Sequence, residues 1–281
     1  MKTPNQDHPE MPSLHIYTLA NDRVFNDFAV LANSIRYFNP YIGITLIPWD
    51  ENILRCSQLC QQLNIEIQTH DLTMYDNLGS GFSHEFEKGR RIFRKFAAFF
   101  GKHERFLFLD ADCIVLSSVE MMSASYEKSS NDILFYAHAA PNRNFTSPEF
   151  KAFAKQIIGH PEGYNAAFFL SRRNLFSFEF LRDVARNMRP LESHIGVKHE
   201  QAFLNYCCTV LSLTANVISR IDRGLYAAWD TNAKIICRDG KYYFDGRNQP
   251  AISVLHYSSH SWRSGVNAGL YRRYLELPLG A

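Results

Sequence analysis

The chain has 281 residues, 46% of them hydrophobic, and a formal net charge of +2. That length admits one large domain or two small ones around a sizeable core, and the small charge, with no dominant Lys/Arg block, argues against a nucleic-acid partner while leaving anionic small molecules open. No apolar stretch approaches the roughly 20 residues that a membrane-spanning helix needs, and Met1 to Pro12 is polar without the apolar centre of an export signal, so it reads as a flexible tail on a cytoplasmic protein with reduced thiols.

Leu14 to Leu19 reads as a first strand, followed by the polar turn Ala20-Asn21-Asp22-Arg23. Phe28, Leu31, Ile35 and Phe38 recur at helical spacing, and the helix they predict stops before Asn39-Pro40, because proline disfavours helical backbone in the residue before it. Ile44 to Ile47 and Asn52 to Leu63 repeat the strand–helix unit. In that helix Ile53, Cys56, Cys60 and Leu63 share one face, so the cysteine pair is core filler, and the six cysteines show no zinc-site spacing. Ile65 to Gln68 makes a short third strand. Leu78 to Gly89 reads as a Gly-containing loop that leads into a basic helix, Arg90-Arg91-Ile92-Phe93-Arg94-Lys95-Phe96.

The next segment, Phe106-Leu107-Phe108-Leu109-Asp110-Ala111-Asp112, is an apolar run that stops on two carboxylates. Such a run without helical period is a strand buried on both faces, and ligands of helix-covered parallel sheets sit at the carboxyl ends of their strands. Residues two apart on an extended backbone share a face, so Asp110 and Asp112 are expected to project together and to want a cation. Hard oxygen ligands suit Mg²⁺ or Mn²⁺ shared with substrate phosphates; the competing reading is that Asp110 caps a turn and Asp112 faces water.

Beyond Asp112, Asp132 to Ala137 and Ala167 to Ser171 read as strands. Pro141 to Pro161 between them is irregular and polar, with a short helix around Phe150 to Ile158, and has the character of a specificity loop. Ile252 to Leu255 is a late strand that delivers His256. Leu270, Tyr271, Tyr274, Leu275 and Leu277 with Arg272 and Arg273 suggest an amphipathic helix that packs on the domain or touches an anionic membrane. Strand–helix alternation predicts an α/β fold with a mostly parallel sheet, as one domain over 13–281 with a nucleotide half and an acceptor half.

Five segments in this order resemble the retaining GT-A glycosyltransferases of the glycogenin and bacterial lipooligosaccharide galactosyltransferase type (family 8-like). His15 to Asp22 with Leu31 to Ile35 resembles that family's opening, and Arg94-Lys95-Phe96 followed by Leu109-Asp110-Ala111-Asp112 its basic helix and Asp-x-Asp motif. Tyr164-Asn165-Ala166-Ala167 resembles its Phe-Asn-Ser/Ala-Gly turn, His199 to Asn205 its Asp-Gln-x-x-Leu-Asn segment, and Val254 to Ser258 with Trp262 its late histidine strand. Three positions depart from the pattern. Glu200 stands where Asp is usual, Ala167 replaces Gly, and Ser258-Ser259-His260-Ser261 replaces the glycine and lysine after the histidine, with Arg263 as a substitute cation.

The resemblance implies a GT-A fold, a Rossmann-like mixed sheet flanked by helices, and a hexose transferred from a nucleoside-diphosphate sugar, a uridine one, with retention. It implies Mn²⁺ or Mg²⁺ on Asp110, Asp112 and His256. Donor contacts would come from Leu19, Ala20, Asn21, Asp22, Lys95, Ala111, Asn165, Ala166 and Arg263, with Asn21 or Asp22 on base or ribose and Lys95 as a point charge facing the donor. The residues themselves leave two uses for Arg91 and Arg94, pairing with acidic neighbours or, together with Arg90, forming a solvated face. Glu200 and Gln201 would stand near the anomeric carbon, Glu200 as the nearest carboxylate for an ion-pair or covalent role. The acceptor would be a carbohydrate, a lipid-linked or a protein hydroxyl. A nucleotidyltransferase and a sugar-nucleotide binding module without turnover are the competing readings; the turn Ala20 to Arg23 lacks the glycine-rich phosphate loop of the former.

Overall fold

The structure is a computed structural model that describes residues 14–82, 90–196, 199–222, 224–229, 233–257 and 265–277. The tail, the end of the Leu78–Gly89 segment, Ser258 to Ser261, Trp262 and Arg263 therefore lie outside the described residues.

In chain order β1 (His15–Ala20), α1 (Phe25–Phe38), β2 (Gly43–Pro48), α2 (Leu54–Gln62) and β3 (Glu66–Ile67) make the alternating units that the sequence predicts, with ends moved by a residue or two. α3 (Thr73–Phe82) and a 3₁₀ helix (Arg90–Phe100) lead to β4 (Arg105–Asp110) and β5 (Cys113–Val115). Then come α4 (Glu120–Lys128), β6 (Ile133–Phe135), α5 (Pro148–Ile158), β7 (Phe168–Arg172), α6 (Phe178–Met188), α7 (Glu200–Val210), β8 (Ala215–Val217) and α8 (Ile218–Ile221). β9 (Tyr226–Trp229), β10 (Ile235–Arg238), β11 (Lys241–Phe244), β12 (Ile252–His256) and α9 (Ala268–Leu275) complete the described chain.

The main sheet has seven strands in the order β3-β2-β1-β4-β7-β6-β8. Its strands run parallel except β7, which lies antiparallel to both β4 and β6. A smaller sheet, β5-β12-β9, starts where β4 ends. Helices cover both faces of the main sheet, and β4 shows why its sequence does not alternate. Phe106 and Phe108 enter a core with Phe96, Phe99, Phe169 and Phe203, whereas Leu107 and Leu109 enter a second one with Phe28, Leu31 and Leu170. A strand buried on both sides needs apolar residues at every position.

The 3₁₀ helix has a matching sequence cause. Phe93, Phe96 and Phe99 fall at spacing three, the repeat that a 3₁₀ helix brings into line, and all three are fully buried in one stacked row with centroids 6.0 and 5.9 Å apart. The expectation of a loop from Leu78 is corrected by α3, which runs to Phe82. Its glycine marks close packing: a Cβ on Gly79 would come within 2.8 Å of the Arg90 backbone. α5 begins earlier than expected because Ser147 accepts a hydrogen bond from Phe150 N and Pro148 takes the first helical position.

The amphipathic C-terminal helix is present, and of its two readings packing is the one observed. Tyr271 and Tyr274 are buried against α1, with Tyr271 donating to Asp27 and Asn33 donating to the Tyr274 carbonyl. The apolar face is thus spent inside the domain. Among the described residues no helix is long and apolar enough to cross a membrane.

At the amino end of β1, His15 is buried, stacks on His103 at 3.6 Å and pairs through Nε2 with Thr45 Oγ1 at 2.8 Å. Its pKa is lowered from 6.5 to about 3, by burial first and then by His103, Lys102 and Arg36. The folded state therefore refuses a proton that the unfolded chain takes below pH 6.5, so this group's contribution is intact above that pH and is lost as pH falls toward 3. Urea titrations should show His15 removing about 2 kcal/mol of stability between pH 7 and pH 5, and His15→Gln should flatten the pH profile by that amount.

Candidate active site

Asp110 is the last residue of β4, and its N–H donates to the Ala167 carbonyl at 2.8 Å, which fixes it at the carboxyl edge of the sheet. Ala111 and Asp112 then form a turn, and Cys113 opens β5 in the smaller sheet, where it pairs with His256. The expectation that the aspartates share a face of one strand is corrected here. They converge because the chain turns from one sheet into the next between them. The Asp112 carbonyl accepts from Tyr257 N at 3.0 Å, which ties the turn to the end of β12.

His256, the last residue of β12, reaches the same place from the other sheet. Its Nε2 lies 3.3 Å from Asp112 Oδ1, and its Nδ1 is 3.1 Å from the hydroxyl of Tyr136, just past β6. A tyrosine hydroxyl both donates and accepts, so it serves either imidazole tautomer. Ligand atoms of Asp110, Asp112 and His256 all lie within 4.8 Å of one another. The aspartate side chains are 30% and 36% exposed, which leaves one side of the trio open. Two carboxylates and one imidazole fit a hard or borderline dication that also takes phosphate oxygens, Mn²⁺ or Mg²⁺.

Lys95 occupies a different position from the one expected. It is 1% exposed, and its ammonium donates to Glu200 Oε1 at 2.7 Å, Asp110 Oδ1 at 3.1 Å and the Ala166 carbonyl at 3.2 Å. An ammonium has three hydrogens, so its donors are all spent inside the protein and none faces a donor diphosphate. Burial favours a neutral Asp110 and, against the pull of Lys95 and with the push of Asp112 and Glu200, raises its pKa to about 6. Glu200 goes the other way: burial opposes its charge, but Lys95 and then His199 outweigh it and hold the carboxyl below the usual range.

Glu200 and Gln201 open α7 behind His199, whose Nδ1 accepts from Gln201 N at 3.1 Å. Gln201 is buried, accepting from Ala166 N at 3.2 Å and donating to Asn144 at 2.8 Å. Asn205 clamps the same turn from the next helical turn: its Oδ1 accepts from Tyr164 N at 2.7 Å, and its Nδ2 donates to the Tyr164 carbonyl at 2.8 Å. Gly163, at φ 63°, lets that clamp close, since a Cβ there would sit 2.4 Å from Asn205 Oδ1. Asn165 is half-buried and accepts from Ala167 N at 2.9 Å; its Nδ2 has no partner among the described residues.

At the end of β1, Leu19, Ala20 and Asn21 are buried. Asn21 donates to Asp50 at 2.9 Å, and the Asp22 carboxylate accepts from Arg55 N and Cys56 N, both at 3.0 Å, capping α2. Both side chains thus have structural partners. Arg94 pairs with Asp76 through two bonds of 2.7 Å, and Arg91 lies 3.6 Å from Asp50 and 3.7 Å from Glu51, as the reading of an acid-paired basic helix requires. Sequence reasoning missed Tyr136, Asn144 and Asn205. Asn205 stood in the quoted motif without a role, and nothing in the sequence singled out the other two.

No protein-family model matches the chain, and no curated protein matches its sequence. Solved structures do match in fold. An active-site mutant of LgtC superposes with a TM-score of 0.58 at 15% identity, over 94% of this chain and 95% of that one. GlyE, a glycosyltransferase of Streptococcus pneumoniae TIGR4, gives 0.57 at 14% identity over 95% of this chain and 61% of its own. Mouse xyloside xylosyltransferase 1 gives 0.54 at 12% identity over 87% and 97%. The chain has the fold of GT-A glycosyltransferases.

The substitution Lys95→Met leaves Asp110 and Glu200 without their shared cation, so denaturant titration should show a loss of about 3–5 kcal/mol. Lys95→Met combined with Glu200→Leu should recover much of that loss; no recovery would mean that the ion triad is not what the single variant broke.

Proposed function

We propose that the chain is a metal-dependent glycosyltransferase that moves a hexose from a nucleoside-diphosphate sugar, with uridine as the base, to an acceptor hydroxyl with retained configuration. The observation that carries this reading is the convergence of Asp110, Asp112 and His256 at the carboxyl edge of a GT-A sheet. The superposition on a galactosyltransferase solved with donor and acceptor sugar analogues, at 16% identity and a TM-score of 0.55, supports a pair of sugar partners. The acceptor class is a carbohydrate, a lipid-linked or a protein hydroxyl.

Asp110, Asp112 and His256 would hold the dication, Mn²⁺ first and Mg²⁺ second. When bound, the dication acts as a Lewis acid on the departing diphosphate. Tyr136 holds the His256 ring so that Nε2 faces the aspartates. Lys95 keeps Asp110 and Glu200 at fixed separation from each other. Asn165 stands two residues before Ala167, whose carbonyl holds Asp110 at the sheet edge, and its amide suits a sugar hydroxyl. Glu200 stays ionised at neutral pH, which fits it to stabilise positive charge on an anomeric carbon.

A second reading, a sugar-nucleotide binding module without turnover, draws on the commitment of Lys95 to internal carboxylates. A donor diphosphate would then rely on the metal and on groups beyond Tyr257. The two readings separate in one assay. Purified protein with UDP-sugars should release UDP slowly and only with Mn²⁺, whereas a binding module would gain thermal stability from the same ligands and release none. Asp112→Asn should lower the release rate by at least about a hundredfold while keeping the melting temperature within a few degrees; turnover at the native rate would sink the metal assignment.

A further inference from the structure

The two carboxylate oxygens of Glu200 have different surroundings. Oε1 accepts from Lys95 at 2.7 Å, whereas Oε2 is buried and has no hydrogen-bond donor among the described residues. What Oε2 does face is Nδ1 of His199, 3.1 Å away. The same nitrogen stands 3.1 Å from Gln201 N and accepts its hydrogen as the N-cap of α7, a place usually filled by Ser, Thr, Asp or Asn. One ring nitrogen thus meets a donor and an acceptor at equal distance.

It can serve only one of them. With a lone pair on Nδ1 the imidazole caps α7, and Oε2 is left against a second acceptor. With a hydrogen on Nδ1 it donates to Oε2, and Gln201 N loses its partner. A neutral ring has both states available as tautomers, but the imidazolium carries hydrogen on both nitrogens and has only the second. The His199 side chain is 16% exposed and its Nε2 has no partner among the described residues, so the ring can trade protons with water.

Two further charged groups join this pair among the described residues. Lys95 reaches Glu200 from the 3₁₀ helix, and Asp110 at the end of β4 lies behind Lys95. α5 and α6 also pack on α7, and among the described residues neither sends a charged side chain to His199 or Glu200. Glu200 is therefore held by one cation while His199 is neutral and by two once it is charged.

We propose that His199 is a positioning residue whose proton sets Glu200: uncharged, it caps α7 and leaves Oε2 free to face a positive anomeric carbon; charged, it takes Oε2 for itself. The consequence for catalysis rests on the transferase reading, whereas the competition for Nδ1 does not. A proton from solvent that reaches Nδ1 breaks the bond from Gln201 N and makes one to Oε2. The reaction should therefore slow as pH falls.

The test is a proton–nitrogen NMR titration of the full chain from pH 8 to pH 5, the interval in which imidazoles change charge, without nucleotide sugar. The Gln201 amide resonance should move with the His199 ring and with the same midpoint. In His199→Asn, which caps a helix but does not titrate, that resonance should stay in place. A ring that titrates while the Gln201 amide stays still would overturn the proposal, as would a ring that keeps one charge throughout or an amide that moves as far in His199→Asn. In a second arm, UDP release with Mn²⁺ should fall over the same interval at least about threefold more in the native chain than in His199→Asn, a comparison that cancels whatever Asp110 contributes. Equal falls would overturn the hold of His199 on Glu200. No release at any pH would strike the transferase reading instead, and the NMR arm would then decide the competition for Nδ1 alone.

Discussion

The ammonium of Lys95 holds the site together. It joins four parts of the chain that are remote in sequence: the 3₁₀ helix that carries it, the end of β4 at Asp110, the start of α7 at Glu200 and the turn at Ala166. A buried cation is expensive unless every hydrogen finds an acceptor, and here the three acceptors match the three hydrogens. Two carboxylates against one ammonium leave excess negative charge, and Asp112 close by adds to it. That excess is what a dication at Asp110, Asp112 and His256 would neutralise.

The junction between the two sheets depends on the same place. β4 is buried on both faces from Phe106 to Leu109, so after Arg105 the next ionisable side chains fall at the sheet edge. The turn through Ala111 then moves the chain into the smaller sheet, where antiparallel pairing of β5 with β12 sets His256 opposite Cys113. Aromatic packing behind Lys95, with Phe96, Phe99, Phe108 and Phe169 in one core, keeps the 3₁₀ helix against β4. The polar constellation is thus positioned by apolar contacts on every side but the open one.

How much of this is readable from residues alone varies by element. β1, β2 and the helices that follow them were legible because their apolar spacing is local and because Asn39-Pro40 marks the end of α1. α3 was not, since Gly79 and Gly81 read as a loop, while in the fold Gly79 lets the helix approach Arg90. The 3₁₀ helix was legible as a helix but not as its tighter form, though the phenylalanines at spacing three carried the clue. The meeting of Asp110, Asp112 and His256 was legible through motif order. The orientation of its parts was not, because Tyr136 and the sheet-to-sheet turn are tertiary facts.

By itself the sequence determined the α/β class, the strand that ends on Asp110 and the late strand that brings His256. These follow from periodicity and from residue types whose chemistry admits few uses. Only the tertiary structure decided that Lys95 points inward to Asp110 and Glu200, that Asn21 and Asp22 serve as internal partners, and that α9 spends its apolar face on α1. The reason is common to all of them. A charged or amphipathic side chain has more than one favourable environment, and which one it meets is set by the elements packed around it, not by its neighbours along the chain.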